Sequence, residues 1–78
     1  MLQLEILSPS AKLYEGEVSS VIFPGSLGSF GVLPQHAPLI STLTQGKLEW
    51  TTHNKREYLE IQGGVVEVLK NKVTVLVR

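Results

Sequence analysis

The stretch FPGSLGSFGVLPQHAPL, residues 23–39, holds three of the chain's seven glycines and three of its four prolines. Backbone punctuation this dense sets where the flanking segments must stop. Gly25, Gly28 and Gly31 recur at a regular spacing, and glycine reaches positive φ without a steric penalty, so the segment is expected to bend repeatedly within a small volume. Pro24, Pro34 and Pro38 each fix φ and remove a backbone donor, which bars a helix or a central strand here. A loop that merely joins two strands needs about 2–5 residues. This one is longer and carries Leu27, Phe30, Val32 and Leu33, so it is no polar linker. The expectation is a shaped, semi-rigid loop with apolar side chains offered outward or tucked under the fold, and loops of that kind carry function.

On its N-terminal side, Leu2, Leu4 and Ile6 alternate with Gln3 and Glu5, the period of a half-buried strand. Ser8-Pro9-Ser10 ends that strand. Residues 11–14 read as a short second strand, Glu15-Gly16-Glu17 as a tight turn, and residues 18–23 as a third strand that Pro24 closes. Inside the proline-rich stretch, residues 30–33 have room for a brief strand before Pro34. On the C-terminal side, residues 39–43, 47–52, 58–61, 65–69 and 73–77 read as strands. The turns between them fall at Thr44-Gln45-Gly46, at residues 53–56, at Gly63-Gly64 and at Lys70-Asn71-Lys72. Trp50 is in phase with Leu48, which assigns it to the core. No amphipathic helix is present. About eight to ten short strands, with turn signals roughly every 8–12 residues, give an all-β fold: an antiparallel β-sandwich or flattened barrel. No repeat or linker divides it, so residues 1–78 form a single domain.

A chain of 78 residues buries only about 60% of the surface that its unfolded state exposes. It has no cysteine to form a disulfide, and two histidines without cysteine give little basis for a structural zinc site. Strand packing, helped by a partner, must hold it together. Seven basic and seven acidic residues give a formal net charge of zero, which argues against an electrostatic grip on nucleic acid or on an anionic membrane. Protein surfaces are the expected partners. The N-terminal MLQLEIL is interrupted by Gln3 and Glu5 and lacks a basic start, so no signal peptide is expected. No apolar run approaches the roughly 20 residues that span a bilayer. A soluble, cytoplasmic domain is the expectation.

Several motifs combine along the chain: Phe23-Pro24-Gly25, then Gly28-Ser29-Phe30-Gly31-Val32-Leu33-Pro34, then His36-Ala37-Pro38-Leu39, and Gly46-Lys47-Leu48. Gly63-Gly64-Val65-Val66-Glu67-Val68 and Val73-Thr74-Val75-Leu76 follow. Together they resemble, nearly end to end, the N-terminal domain of the epsilon subunit of F-type ATP synthase. A glycine trio alone is weak; joined to His-Ala-Pro-Leu and the downstream Gly-Gly-x-x-Glu-Val it is specific. The resemblance implies a β-sandwich of roughly ten strands. It also implies a non-catalytic role in the rotor, joining gamma to the c ring and coupling ion translocation to ATP synthesis. The alpha and beta subunits would be indirect partners, and the setting would be peripheral, at the cytoplasmic face of the bacterial inner membrane. No cofactor, metal, nucleic acid or membrane insertion is implied. By the same resemblance Leu27, Gly28, Ser29 and Phe30 meet the c ring, while Ser8, His36, Pro38, Leu39 and Ile40 face gamma. Two departures bear on function. Family members usually continue into a helical hairpin that restrains the motor and in some members binds ATP, whereas this chain stops at Arg78, so neither role is carried over. Some relatives carry an acidic residue where this chain has Ser29.

Each of these residues also has an ordinary reading. The glycines serve any long turn, His36 suits a loop histidine bonded to backbone, and His53 suits a solvated hairpin tip. Lys55-Arg56 and the Lys70, Lys72 pair suit solvated edges that discourage strand aggregation. An enzyme would need Ser29 or Ser41 with His36 as nucleophile and base, but no acid is placed by a recognisable motif. The remaining alternative is an all-β carrier domain bearing a prosthetic group on a hairpin lysine, for which Lys70-Asn71-Lys72 is the candidate tip. That tip lacks the methionine or aspartate that flanks such lysines.

Overall fold

The computed structural model describes residues 1–78, with nine strands and no helix. The strands are β1 (Leu2–Leu7), β2 (Lys12–Val18), β3 (Ser20–Gly25), β4 (Gly28–Val32), β5 (Leu39–Leu43), β6 (Gly46–Thr52), β7 (Lys55–Ile61), β8 (Gly64–Leu69) and β9 (Lys72–Val77). They pair in the order β2-β1-β9-β8-β5-β3-β6-β7, with β4 attached to β3. The sheet curls until β2, at one end, meets β6, next to the other end. Tyr14 of β2 lies over Trp50 of β6 with ring centroids 4.7 Å apart, and Thr52 Oγ1 donates to the Glu17 carbonyl at 3.0 Å.

The all-β sandwich expectation holds, with nine strands where about ten were expected. One pairing departs from the antiparallel rule: β1 and β9 run parallel, from Gln3 opposite Lys72 to Leu7 opposite Leu76. That pair joins the two ends of the chain, where no turn sequence signals a partner. Side-chain alternation then builds the core. Leu2, Leu4 and Ile6 point inward with Val73, Val75 and Val77, and Val66, Val68, Leu48 and Trp50 do the same from their own strands. No polar or charged side chain is fully buried with them. Each fully buried aliphatic or aromatic side chain contributes about 1.5–3 kcal/mol, and in a chain without disulfides this is the main cohesive force.

Three readings of the sequence are corrected. Glu15-Gly16-Glu17 is not a turn, because β2 runs straight through it, pairing Glu15 with Glu5 and Glu17 with Gln3. β2 is an edge whose charged side chains face water, so its composition imitates a loop. The chain reverses instead at residues 8–11, where the Ser8 amide donates to the Ala11 carbonyl at 2.8 Å and Ser8 Oγ accepts from the Ala11 amide at 3.1 Å.

Pro24 does not close β3 but lies inside it, opposite Ser29. Its carbonyl accepts from the Thr44 amide at 2.8 Å. The missing donor falls where β3 leaves β6 and meets β5, so no ladder bond is lost. Residues 23–39 are therefore no continuous loop. β3 and β4 pair from Val21–Val32 to Gly25–Gly28, and the turn is only Ser26-Leu27. Of the three glycines there, Gly28 alone takes positive φ, at 127°. Gly25 is required for a different reason: a Cβ on it would lie 2.6 Å from the Gly28 carbonyl oxygen and 2.8 Å from the Phe30 ring.

The other hairpins are tight as well. His53-Asn54 and Lys70-Asn71 each show φ of 50° and 63°, the type I′ signature, so these turns are shorter than the polar tips suggested.

Candidate partner interface

The two residue sets that the resemblance singles out lie on elements joined through β5. At one end of β5, Leu43 pairs with Gly25 and Gly64. Beside it stands the Ser26-Leu27 turn, held down by the Ser26 amide on the Thr42 carbonyl at 3.2 Å and by Ser26 Oγ with Thr42 Oγ1 at 2.9 Å. These bonds fix the turn's base, while Leu27 at its tip is 104% exposed. A large apolar side chain held in water on a braced turn is available for burial by something else. Gly28 and Ser29 are exposed beside it. Phe30 is committed inward: its ring stacks on Phe23 at 5.3 Å between centroids and packs against the core.

At the other end of β5, Leu39 pairs with Val68. The segment leading into it begins with a turn in which the His36 amide donates to the Leu33 carbonyl at 3.2 Å, Pro34 occupies the second position and Gln35 takes φ of 71° in the third. Positive φ is costly for a side chain with a Cβ. The Gln35 amide donates to Asn71 Oδ1 at 2.7 Å, which braces the strained residue against the β8–β9 turn. His36 Nδ1–H donates to the Ala37 carbonyl at 2.7 Å, so it is the backbone-bonded loop histidine of its ordinary reading. Pro38 is exposed, Leu39 is half-buried against the core and Ile40 is 72% exposed.

The structure thus groups His36, Pro38, Leu39 and Ile40 and sets Ser8 apart from them. Because β1 runs parallel to β9, Ser8 follows the Leu7–Leu76 pairing, at the end of the sheet where β8 begins. It shares the end that carries the Ser26-Leu27 turn.

Other apolar residues join this surface. Leu33 and Ile22 are exposed on the β4 side, and Leu69 lies one residue beyond the Leu39–Val68 pairing. A plain sequence signal points to the same region: no Asp, Glu, Lys or Arg occurs between Glu17 and Lys47. All of β3, β4, β5 and their connections are uncharged, whereas the two outer edges β2 and β7 carry charges along their length. Depletion of charge is the compositional mark of the centre of a protein interface.

Catalytic arrangements are not assembled. Ser41 Oγ donates to the Thr42 carbonyl at 3.3 Å and His36 to Ala37, so the imagined nucleophile and base do not meet. No three His or acidic side chains gather into a metal-ligating group. A depression of about 530 Å³ is lined by Ser26, Thr42, Gly64, Val65, Leu76 and Arg78 among others, and brings no pair of titratable groups together. No helix is long and apolar enough to cross a membrane.

Comparison with known proteins gives the family. The model of the ATP synthase delta/epsilon chain beta-sandwich domain matches residues 1–78. This chain belongs to that family. It is 47% identical over 75 residues to the ATP synthase epsilon chain of Leptospira interrogans, covering 96% of this chain and 59% of the relative. It is 40% identical over 76 residues to that of Helicobacter pylori, covering 97% of this chain and 62% of the relative. The chain therefore spans about three-fifths of the length of these epsilon chains. The fold matches a chain in the Euglena gracilis mitochondrial ATP synthase structure with a TM-score of 0.92 at 22% identity, covering 97% of this chain and 49% of that one. A chain of the Tetrahymena thermophila mitochondrial ATP synthase central stalk and c-ring structure matches with a TM-score of 0.82 at 16% identity, covering 97% and 62%. The carrier-domain alternative finds no support in this family. Lys70 is the first residue of an ordinary type I′ turn.

Proposed function

We propose that this domain is a non-catalytic component of the rotor of an F-type ATP synthase, joining gamma to the c ring and transmitting rotation between them. The observation that carries this is the family match over the whole of residues 1–78. The physical properties of the domain support it. Torque crosses a contact only if both sides are stiff, and here a closed β core carries two braced apolar projections connected through one strand. Leu27, Gly28 and Ser29 offer the c-ring contact, with Phe30 anchoring them to the core. His36, Pro38, Leu39 and Ile40 offer the gamma contact, and Ser8 reaches gamma only if gamma extends to the opposite end of β1. The bacterial relatives support a peripheral position at the cytoplasmic face of the inner membrane, with the alpha and beta subunits held through gamma.

The test is a pull-down from the membranes of the source cell with the tagged chain, expected to recover gamma together with alpha and beta. An aspartate in place of Ile40 should cost gamma binding on the order of 3–5 kcal/mol, the penalty of an unpaired buried charge, and leave c-ring attachment intact. Leu27→Asp should do the reverse. Equal losses in both assays for both variants would overturn the assignment of separate faces, and failure to recover gamma at all would overturn the rotor reading.

A further inference from the structure

Gln35 holds a backbone conformation that glycine would hold more easily. It takes φ of 71° in the third position of the turn from Leu33 to His36, where positive φ makes glycine or asparagine the usual occupant. The other side chains at positive φ, on His53, Asn54, Lys70 and Asn71, lie in two-residue hairpins that demand it at both central positions. The segment between β4 and β5 is under no such demand, because these two strands do not pair with each other. A sparsely populated backbone state persists only where its surroundings enforce it. Here the Asn71 side chain does so, accepting the Gln35 amide at 2.7 Å.

That brace acts on the backbone alone and would serve a glycine equally well. The Gln35 side chain itself contributes nothing within the fold: it is exposed, its carboxamide makes no hydrogen bond, and it lies outside the hydrophobic core. Its neighbours are short of free polar groups. Pro34 and Pro38 have no N–H, the His36 amide donates to Leu33, and His36 Nδ1–H donates to Ala37. Leu39 and Ile40 follow, and no charged residue occurs between Glu17 and Lys47. On this largely apolar surface the Gln35 carboxamide offers two N–H donors and a carbonyl acceptor, none of them used by the chain.

We propose that Gln35 is a contact residue for gamma, its carboxamide pairing with an uncharged peptide group there, donating through one N–H and accepting through its carbonyl. The proposal rests on the reading that His36, Pro38, Leu39 and Ile40 face gamma, the set that Gln35 adjoins. A carboxamide matches a peptide group donor for acceptor, and its neutrality suits a surface without charge. The braced turn holds the Gln35 backbone in place, so less freedom is lost on binding.

Titration calorimetry with isolated gamma, alongside thermal unfolding of the 78-residue chain, tests this. Gln35→Gly relieves the positive φ and should melt no lower than the wild type, yet bind gamma about three- to tenfold more weakly. A merely structural residue would not separate the two readouts in that direction. Gln35→Ala keeps the backbone restricted and should lose binding to the same extent, which separates loss of the carboxamide from loosening of the turn by glycine. Gln35→Glu keeps the size but has no donor when ionised, and should bind no better than the alanine variant. Wild-type affinity in the glycine or alanine variant, or a glycine variant less stable than the wild type, overturns the proposal. Tighter binding by Gln35→Glu overturns it too, since the contact would then be with a cation. Variants that bind like a wild type that does bind gamma leave the rotor reading standing, whereas a wild-type chain that does not bind gamma at all overturns both.

Discussion

Gly25, Gly28 and Gly31 share one spacing but do three different jobs, which a substitution series can separate. Gly25→Ala should destabilise by about 1–3 kcal/mol, because its Cβ collides with the Gly28 carbonyl and the Phe30 ring. Gly28→Ala has open space around its Cβ, yet the φ of 127° should still cost about 1–2 kcal/mol. Gly31→Ala has neither problem, and its effect should stay within about 0.5 kcal/mol. Thermal or urea unfolding of the three variants checks the ranking. A Gly31 variant as damaging as the Gly25 variant would contradict the assigned geometry.

At the level of elements, the turn before β5 depends on a neighbour that is distant in sequence. Asn71 supplies the second of the two central positions of the β8–β9 turn, accepts the Gln35 amide on Oδ1 at 2.7 Å, and accepts the Gln3 amide on its carbonyl at 2.8 Å. Asn71→Gly keeps the turn and the backbone acceptor but removes the brace. It should change global stability by only about 0.5–1.5 kcal/mol, while amide exchange at Gln35 accelerates selectively. Uniform acceleration across β8 and β9 would instead mean that the turn itself had failed.

The β1–β2 pair makes a pH prediction. Lys12 lies 2.9 Å from Glu15 and 3.3 Å from Glu5, and its ammonium is held above the ordinary value of 10.5, first by the hydrogen bond to Glu15 and then by that to Glu5. A raised folded value means that the contribution is complete below the unfolded value of about 10.4 and fades as pH rises through the folded one. The difference in melting temperature between the wild type and Lys12→Met should thus be constant near neutrality and shrink only in strong alkali. A difference that vanished between pH 6 and 8 would show that another group is responsible.

Interior strands were legible where alternation was pure, as at Leu2, Leu4 and Ile6, at Leu48 and Trp50, or at Val73, Val75 and Val77. Edges were not. β2 shows water on too much of its surface for a period to survive, and Pro24 hides inside β3 because its partner is a loop amide. The candidate interface was legible as a segment but not as a shape. Only the pairing of β3 with β4 shows that Leu27 projects while Phe30 turns inward.

Considered as a whole, the molecule segregates its charge. With every Asp, Glu, Lys and Arg outside the span from Val18 to Gly46, contacts made by β3, β4 and β5 depend on apolar burial and backbone bonds. Raising ionic strength from about 0.1 M to about 1 M shortens the Debye length from about 10 Å to about 3 Å. Binding of the domain to isolated gamma should nonetheless change by less than about threefold over that range. Titration calorimetry at several salt concentrations measures this. A tenfold or greater weakening would move the contact to the charged strands β2 or β7.

The parallel pairing of β1 with β9 also orders events in time. β9 is synthesised after the other eight strands, yet it lies between β1 and β8 rather than at a margin. On the ribosome, the hairpin of β1 and β2 meets the rest of the sheet only where β2 touches β6 until residues 72–77 have emerged, and until then β1 lacks its second neighbour. Such end-to-end contacts are slow to form and leave the nascent chain open to misassociation. Synthesis interrupted before Lys72 leaves the β1–β2 hairpin held to the other strands only through β2, so completion of β9 acts as the commit step for the whole fold.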